Sequence, residues 1–146
     1  MKIGCPKEIK PQEFRVGMTP NAAYEAVNKG HEVVIEAGAG IGAGFDDAAY
    51  TDAGATILAT AQEVFDSADM IVKVKEPQPQ EVSMIRDGQT VFTYFHFAAD
   101  RDLTVGCLER GCISVAYETL TDRHGHLPLL TPMSEIAGKL SIQEGA

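Results

Sequence analysis

The fold of this chain is constrained most by short apolar runs in which polar residues do not alternate with apolar ones. Residues 70–77 (MIVKVKEP) and 90–98 (TVFTYFHFA) have this pattern, and each run ends near one ionisable side chain, Lys75 or His96. Runs of this length are typical of strands that are covered on both faces. We therefore expect a parallel sheet.

Strand-like and helix-like segments alternate along the chain. Predicted strands occupy residues 2–6, 32–37, 55–58, 70–75, 90–96 and 112–118. Predicted helices lie at residues 20–29, 46–53, 60–67, 80–85 and 100–110, and a last helix begins at Thr131-Pro132. This order with short connections predicts an α/β fold, a doubly wound, mainly parallel sheet with helices on both faces and Rossmann-like or flavodoxin-like layering.

Composition excludes several classes of protein. The chain has 146 residues and a formal net charge of -9 at pH 7, and its Lys and Arg residues are not clustered, which argues against a nucleic-acid partner. No apolar run approaches the ~20 residues of a membrane span, and the first residues include no apolar leader region. The three cysteines are odd in number and lack C-x-x-C spacing, so we expect buried, reduced thiols and a cytoplasmic location.

Lys75 and His96 follow two strands that are successive in sequence. Ligands of open parallel sheets bind outside the carboxyl ends of the strands, and Arg15 in the loop after the first strand belongs to the same edge. Taken singly, Lys75 could be a solvated lysine and His96 a hydrogen-bonded core histidine. Together, Arg and Lys can bind a carboxylate and a carbonyl oxygen while His transfers a proton, so we expect a site for a 2-oxo acid or an amino acid. Glu118, after a fourth strand, is expected to orient or pair with a cation there.

A glycine-rich loop at residues 38–44 superficially satisfies the dinucleotide fingerprint G-x-G-x-x-G/A. The fingerprint also requires a helix that opens at the loop and an acidic residue at the end of the next strand. Here Asp46 and Asp47 follow the loop and would repel a pyrophosphate, and the next strand ends without a carboxylate. A structural glycine turn is expected instead.

Metal and nucleophile motifs are not apparent. His124 and His126 flank a glycine, but no further ligand motif frames them, so a polar turn is expected and no metal site. No G-x-S-x-G elbow occurs.

Seven short motifs in a fixed order carry a family resemblance. They are residues 7–8 (KE), 13–16 (EFRV), 19–20 (TP), 36–40 (EAGAG), 73–77 (KVKEP), 95–96 (FH) and 132–138 (PMSEIAG). With these motifs the chain resembles, over all its residues, the amino-terminal part of L-alanine dehydrogenases. The related nicotinamide nucleotide transhydrogenases usually lack a histidine like His96 and the KEP form at Lys75, which favours the dehydrogenases.

The resemblance implies the reversible oxidative deamination of L-alanine by NAD to pyruvate, ammonium and NADH. It implies that Arg15 and Lys75 bind the substrate carboxylate and carbonyl groups and that His96 is the general acid/base. Ser134, with Met133 beside it, is implied to contact the nicotinamide end of NAD. Homo-oligomers, commonly hexamers, are also implied for full-length members.

The resemblance further divides the chain into residues 1–131, the amino-terminal part of the substrate domain, and 132–146, the start of an interdomain helix. The NAD-binding Rossmann domain and a catalytic aspartate of the family have no counterpart in the sequence, so we expect a truncated chain with negligible dehydrogenase activity alone. The alternative is a stand-alone module that binds a 2-oxo acid such as pyruvate without turnover. A response-regulator-like domain would need a phosphoacceptor Asp where this chain has Lys75 and His96.

Overall fold

The computed structural model describes residues 1–145, which form one six-stranded sheet flanked by helices. The strands are β1 (Lys2–Cys5), β2 (Glu32–Glu36), β3 (Thr56–Leu58), β4 (Met70–Val72), β5 (Thr90–Thr93) and β6 (Ile113–Ala116). The helices are α1 (Pro20–Asn28), α2 (Asp47–Asp52), α3 (Ala61–Ser67), α4 (Pro79–Met84), α5 (Arg101–Arg110) and α6 (Thr131–Glu144). Single turns of 3-10 helix lie at Ile41–Ala43, Phe97–Ala99 and Tyr117–Thr119.

All neighbouring strands are parallel, in the order β3-β2-β1-β4-β5-β6. The predicted α/β class with a doubly wound sheet is therefore confirmed. The order reverses between β1 and β4, so the connections after these two strands diverge to opposite sides and leave a crevice at their carboxyl ends. This crevice is where a ligand of such a sheet is expected.

The inner strands are largely buried on both faces, as their apolar runs predicted, whereas the edge strands β3 and β6 have no buried residue. In β2, Val33 and Ile35 belong to a core cluster that includes Ala23 of α1 and Tyr50 of α2. Val34, between them, belongs to a second cluster on the other face with side chains of α3, α4 and α5. Each face of the sheet thus has its own helix layer.

Local signals account for most of the helix boundaries. The Thr19 hydroxyl accepts a hydrogen bond from the backbone of α1, and Thr60 forms a capping box with Glu63 at the start of α3. Gly111, in a left-handed conformation with φ 68°, ends α5.

All six strands are shorter than predicted, and in two of them the difference affects the candidate site residues. β4 ends at Val72 and β5 at Thr93, so Lys75 and His96 lie beyond the strands and not in their last positions. Main-chain pairing still continues beyond the strand ends, since the Lys73 N–H donates to the Phe92 carbonyl at 3.0 Å and the Tyr94 N–H donates to the Val74 carbonyl at 3.3 Å. The segments then diverge, which leaves both ionisable side chains in loops at the crevice.

Helix α6 lies on the surface, and none of its residues is buried. The segment just before the helix is joined to the loop after β5 by a hydrogen bond from the Tyr94 hydroxyl to the Leu129 carbonyl. Exposed apolar side chains along the helix include Met133, Ile136 and Leu140. The helix begins within one residue of the predicted division at 131/132, although that division into domains remains a prediction.

Within residues 1–145 no helix combines the length and the apolar character that crossing a bilayer requires.

Gly4 in β1 provides a test of this packing. A Cβ atom at Gly4 would lie 2.7 Å from the Cβ of Ala68 and 2.7 Å from a methyl group of Val64. We expect Gly4→Ala to lower the free energy of unfolding by about 1–3 kcal/mol, because the helix would have to move off the sheet. Urea denaturation followed by circular dichroism measures this.

Gly138→Ala in α6 is the matched control, since no atom other than the neighbouring backbone of the same helix lies within 4 Å of the added Cβ. That variant should be as stable as the parent or more stable by up to ~1 kcal/mol. Equal stability of the two variants would contradict the close contact at Gly4.

Candidate active site

A cleft of about 260 Å³ opens at the carboxyl ends of the central strands, between the loops after β1, β4 and β5 and the helix α6. All five site residues predicted from the sequence line it, together with three residues that were not predicted. The predicted ones are Arg15, Lys75, His96, Met133 and Ser134, and the others are Tyr94, Leu130 and Ala137. The structure thus brings together residues that are separated by up to about 120 positions in the chain.

The Arg15 guanidinium is held by Glu13. Its Nε donates to Oε1 of Glu13 at 2.8 Å, its Nη2 donates to Oε2, and its Nη1 contacts the sulfur of Met133 at 3.4 Å. The hydrogen bond with Glu13 raises the pKa of Arg15 and lowers the pKa of Glu13. One edge of the Arg15 fork is therefore occupied, and only its remaining N–H groups are available to a ligand.

Lys75 is fixed through its main chain. Its carbonyl oxygen accepts a hydrogen bond from the Thr93 hydroxyl at 2.7 Å, and its N–H lies 3.4 Å from Oε1 of Glu8. The same Glu8 oxygen accepts the Val74 N–H at 2.6 Å. Among residues 1–145 the Lys75 ammonium makes no ion pair, so it is free to meet an anion in the cleft.

His96 has a left-handed backbone with φ 55° and ψ 36°, which is uncommon for a residue with a Cβ. The carboxylate of Glu118 stabilises it: Oε1 accepts the His96 N–H at 2.8 Å and lies 3.9 Å from Nδ1. The imidazole itself is 54% exposed and faces the cleft. Glu118, expected from its place after β6 to act at this edge, thus lies beside His96. Strained residues of this kind cluster at functional sites.

A buried ion-pair cluster beneath the cleft was missed by the sequence reasoning. The Lys73 ammonium is fully buried and lies 3.1 Å from Oε2 of Glu8 and 2.8 Å from Oε1 of Glu81. Burial opposes the charge on Lys73, but attraction to Glu81 and Glu8 outweighs it and raises the pKa of Lys73. A lysine within the apolar run 70–74 was the available signal, because a buried charge needs a partner.

The glycine loop is structural, as the sequence indicated. The Gly38 N–H donates to the carboxylate of Asp47 at 2.8 Å, and a Cβ at Gly40 would lie 2.7 Å from the ring of Tyr50. The helix that follows, α2, has six residues and begins with Asp46 as its cap. An N–H already bound to a carboxylate and an acidic helix start do not fit a pyrophosphate.

The remaining polar clusters are small. His124 and His126 lie in a turn whose backbone N–H groups donate to Asp122, as expected of a polar turn. Over residues 1–145 there is no group of three or more His, Cys, Asp and Glu side chains arranged to hold a metal ion. Cys5 and Cys107 are buried free thiols, whereas Cys112 is only half-buried, contrary to the expectation for it.

The family model described as "Alanine dehydrogenase/PNT, N-terminal domain" matches residues 4–137. The chain belongs to this family. Alanine dehydrogenases of Halomonas elongata and Methanococcus maripaludis are 51% and 53% identical to it over all 146 residues. The chain spans 39% of the length of each of these two proteins.

Solved structures give the same family. An L-alanine dehydrogenase structure matches all of the chain with 51% identity and a TM-score of 0.93, and the matched part is 40% of that structure. A transhydrogenase from Sinorhizobium meliloti matches 84% of the chain with 31% identity and a TM-score of 0.77, over 35% of its own length. The chain is therefore more similar to the dehydrogenase than to the transhydrogenase.

The buried ion-pair cluster predicts that replacing Lys73 lowers the stability of the chain strongly. We expect Lys73→Met to lower the free energy of unfolding by about 3–5 kcal/mol, because it leaves the carboxylates of Glu8 and Glu81 buried without a cation. Urea denaturation monitored by circular dichroism is the measurement. Adding Glu8→Gln and Glu81→Gln to the variant should recover part of the loss.

The control is Lys2→Met, which removes the exposed Lys2–Glu32 pair at 3.1 Å and should change stability by at most about 1 kcal/mol. A Lys73→Met protein no less stable than this control would show that the cluster contributes nothing.

The pairing of Glu13 with Arg15 predicts that the stability of the chain depends on pH. Its pKa is lower in the folded chain than the ordinary 4.5, so its stabilising effect is present above pH 4.5 and is lost as the pH falls through the folded-state pKa. We expect Glu13→Gln to be less stable than the parent at pH 7, with a smaller difference at pH 3. Urea midpoints at the two pH values test this.

Glu25→Gln is the control for Glu13, since Glu25 is exposed on α1 and makes no ion pair within the described residues. Its difference from the parent should be small at both pH values. A Glu13→Gln deficit that persists unchanged at pH 3 would exclude an ionised Glu13 as its cause.

Proposed function

We propose that this chain is the substrate-binding part of an NAD-dependent alanine dehydrogenase, which converts L-alanine, water and NAD to pyruvate, ammonium and NADH and back. The observation that carries the proposal is the convergence of Arg15, Lys75 and His96 in one cleft at the crevice of the sheet. Relatives that are 51% and 53% identical and are named alanine dehydrogenase support it.

Arg15 and Lys75 bind the 2-oxo acid in this proposal. The N–H groups of Arg15 that Glu13 leaves free donate to the substrate carboxylate, and the Lys75 ammonium donates to the 2-oxo oxygen or to the second carboxylate oxygen. A cation at the 2-oxo oxygen polarises the carbonyl bond, so C2 becomes more open to attack by ammonia. The apolar side chains of Leu130, Met133 and Ala137 suit the methyl group of pyruvate.

His96 is the general acid/base in this proposal. When ammonia adds to C2, the product is a carbinolamine, and loss of its hydroxyl as water requires a proton that an imidazolium can donate. In the reverse direction, the neutral imidazole takes a proton from the attacking water. Glu118 positions the ring, because its Oε1 accepts the His96 backbone N–H at 2.8 Å and lies 3.9 Å from Nδ1.

NAD, when bound to the full-length enzyme, supplies the hydride acceptor. The glycine loop of this chain does not fit the dinucleotide, for the reasons given above, so the chain offers only an edge contact. Ser134 and Met133 lie in the cleft together with His96, and the Ser134 side chain makes no hydrogen bond within residues 1–145. Its hydroxyl is therefore available to a carboxamide. Hydride chemistry by this chain alone is not expected.

Location and assembly form part of the same proposal. Free thiols at all three cysteines are in keeping with a cytoplasmic protein. A homo-oligomer is proposed for the full-length enzyme, as in its family.

Titration of pyruvate into the 146-residue chain, followed by the NMR signals of the His96 ring, tests the site. We expect a saturable shift in the parent and its loss in Lys75→Ala, because Lys75 supplies a cation of the site. Lys29→Ala, an exposed lysine at the end of α1 remote from the cleft, should retain the shift.

A folded chain without a shift would contradict a preformed substrate site. Robust NADH oxidation by this chain with pyruvate and ammonium would contradict the proposal that this chain binds the substrate but does not carry out hydride transfer alone. If the protein binds pyruvate but never converts it, the binding module without catalysis would be favoured instead.

A further inference from the structure

The two cations on this side of the cleft, Arg15 and Lys75, differ in how much positive charge they present to a ligand. Glu13 accepts two hydrogen bonds from the Arg15 guanidinium and one from the Arg15 backbone N–H at 2.9 Å. Its side chain is only 7% exposed, so water does little to screen its charge. Lys75, in contrast, has no carboxylate partner among residues 1–145. Arg15 thus offers directed donors with little net charge, and Lys75 is the cation of the cleft that is not held in an ion pair.

We propose that Glu13 makes the cleft selective for singly charged 2-oxo acids over doubly charged ones by cancelling the charge of Arg15. This inference rests on the proposed function, that the cleft binds a 2-oxo acid. A substrate with one carboxylate is matched by Lys75 and the free donors of Arg15. A second carboxylate on the substrate would find no further Lys or Arg among the residues that line the cleft, and Glu13, behind Arg15, would repel it.

The other walls of the cleft agree with this assignment. Leu130, Met133 and Ala137 offer no hydrogen-bond donor from their side chains to a second carboxylate. At the His96 side, Glu118 adds a further negative charge that is 19% exposed. Glu118 repels a dianion as well, so the contribution of Glu13 must be measured by a variant at position 13 alone.

Oxamate and oxalate are suitable probes because they have nearly the same shape, do not react, and carry one and two negative charges. Their dissociation constants for the chain are measured by isothermal titration calorimetry at low salt. The parent should bind oxamate more tightly than oxalate. In Glu13→Gln the ratio of the two constants should shift toward oxalate by about tenfold, the size expected when one nearby unit charge is removed from a partly buried site.

Glu13→Asp and Glu13→Ala complete the set. Glu13→Asp keeps the charge, so it should leave the ratio unchanged even if both ligands bind less tightly. Glu13→Ala removes the charge without presenting an amide to Arg15. It should shift the ratio in the same direction as Glu13→Gln, and it replaces that variant if Glu13→Gln does not fold.

The ratio separates a charge effect from a merely structural one. If Glu13 only holds Arg15 in place, the neutral variants will weaken oxamate and oxalate by the same factor, and the proposal is overturned. If the folded parent binds neither probe, the proposed function itself fails, and this inference fails with it. A shifted ratio in both neutral variants, with none in Glu13→Asp, supports the selectivity role.

Discussion

A buried lysine fixes the geometry on which the candidate site depends. Lys73 follows β4 in the interior and attracts Glu8 from the loop after β1 and Glu81 from α4. Burying these charges is unfavourable unless each has its partner, so the three segments hold one arrangement. Because Glu8 also accepts the N–H groups after Lys73, the loops that carry Arg15 and Lys75 are tied to each other through the core.

The sequence predicted where the candidate site residues lie, because topology constrains their position more than local detail does. Once β1, β4 and β5 are parallel neighbours, residues after their ends must share one edge, whatever the loops do. Arg15, Lys75 and His96 could therefore be grouped without knowledge of a single contact. The position of a strand end matters little to this grouping, since Lys75 and His96 reach the cleft although both strands end earlier than predicted.

Side-chain contacts that form only when separate segments fold together could not be predicted from the sequence. Lys73 is an unusual residue for an apolar run, but its partners lie 65 and 8 positions away, and nothing local identifies them. Glu13 was part of a recognised motif, yet only the folded loop shows that it occupies one edge of the Arg15 fork. Helix caps, by contrast, involve residues three positions apart, so Thr60 with Glu63 was predictable.

The three residues proposed to act on the substrate are supported in the same way, because each is in contact with a glutamate carboxylate outside the cleft. The pairs are Glu13 with Arg15, Glu8 with the Lys75 backbone, and Glu118 with His96. Each carboxylate contacts its partner without lining the cleft that the cations line. An acidic protein can thus present a locally cationic site for an anion, since its negative charge fixes the cations in position and limits how much positive charge the ligand meets. The same support that orders the site thereby also sets its charge.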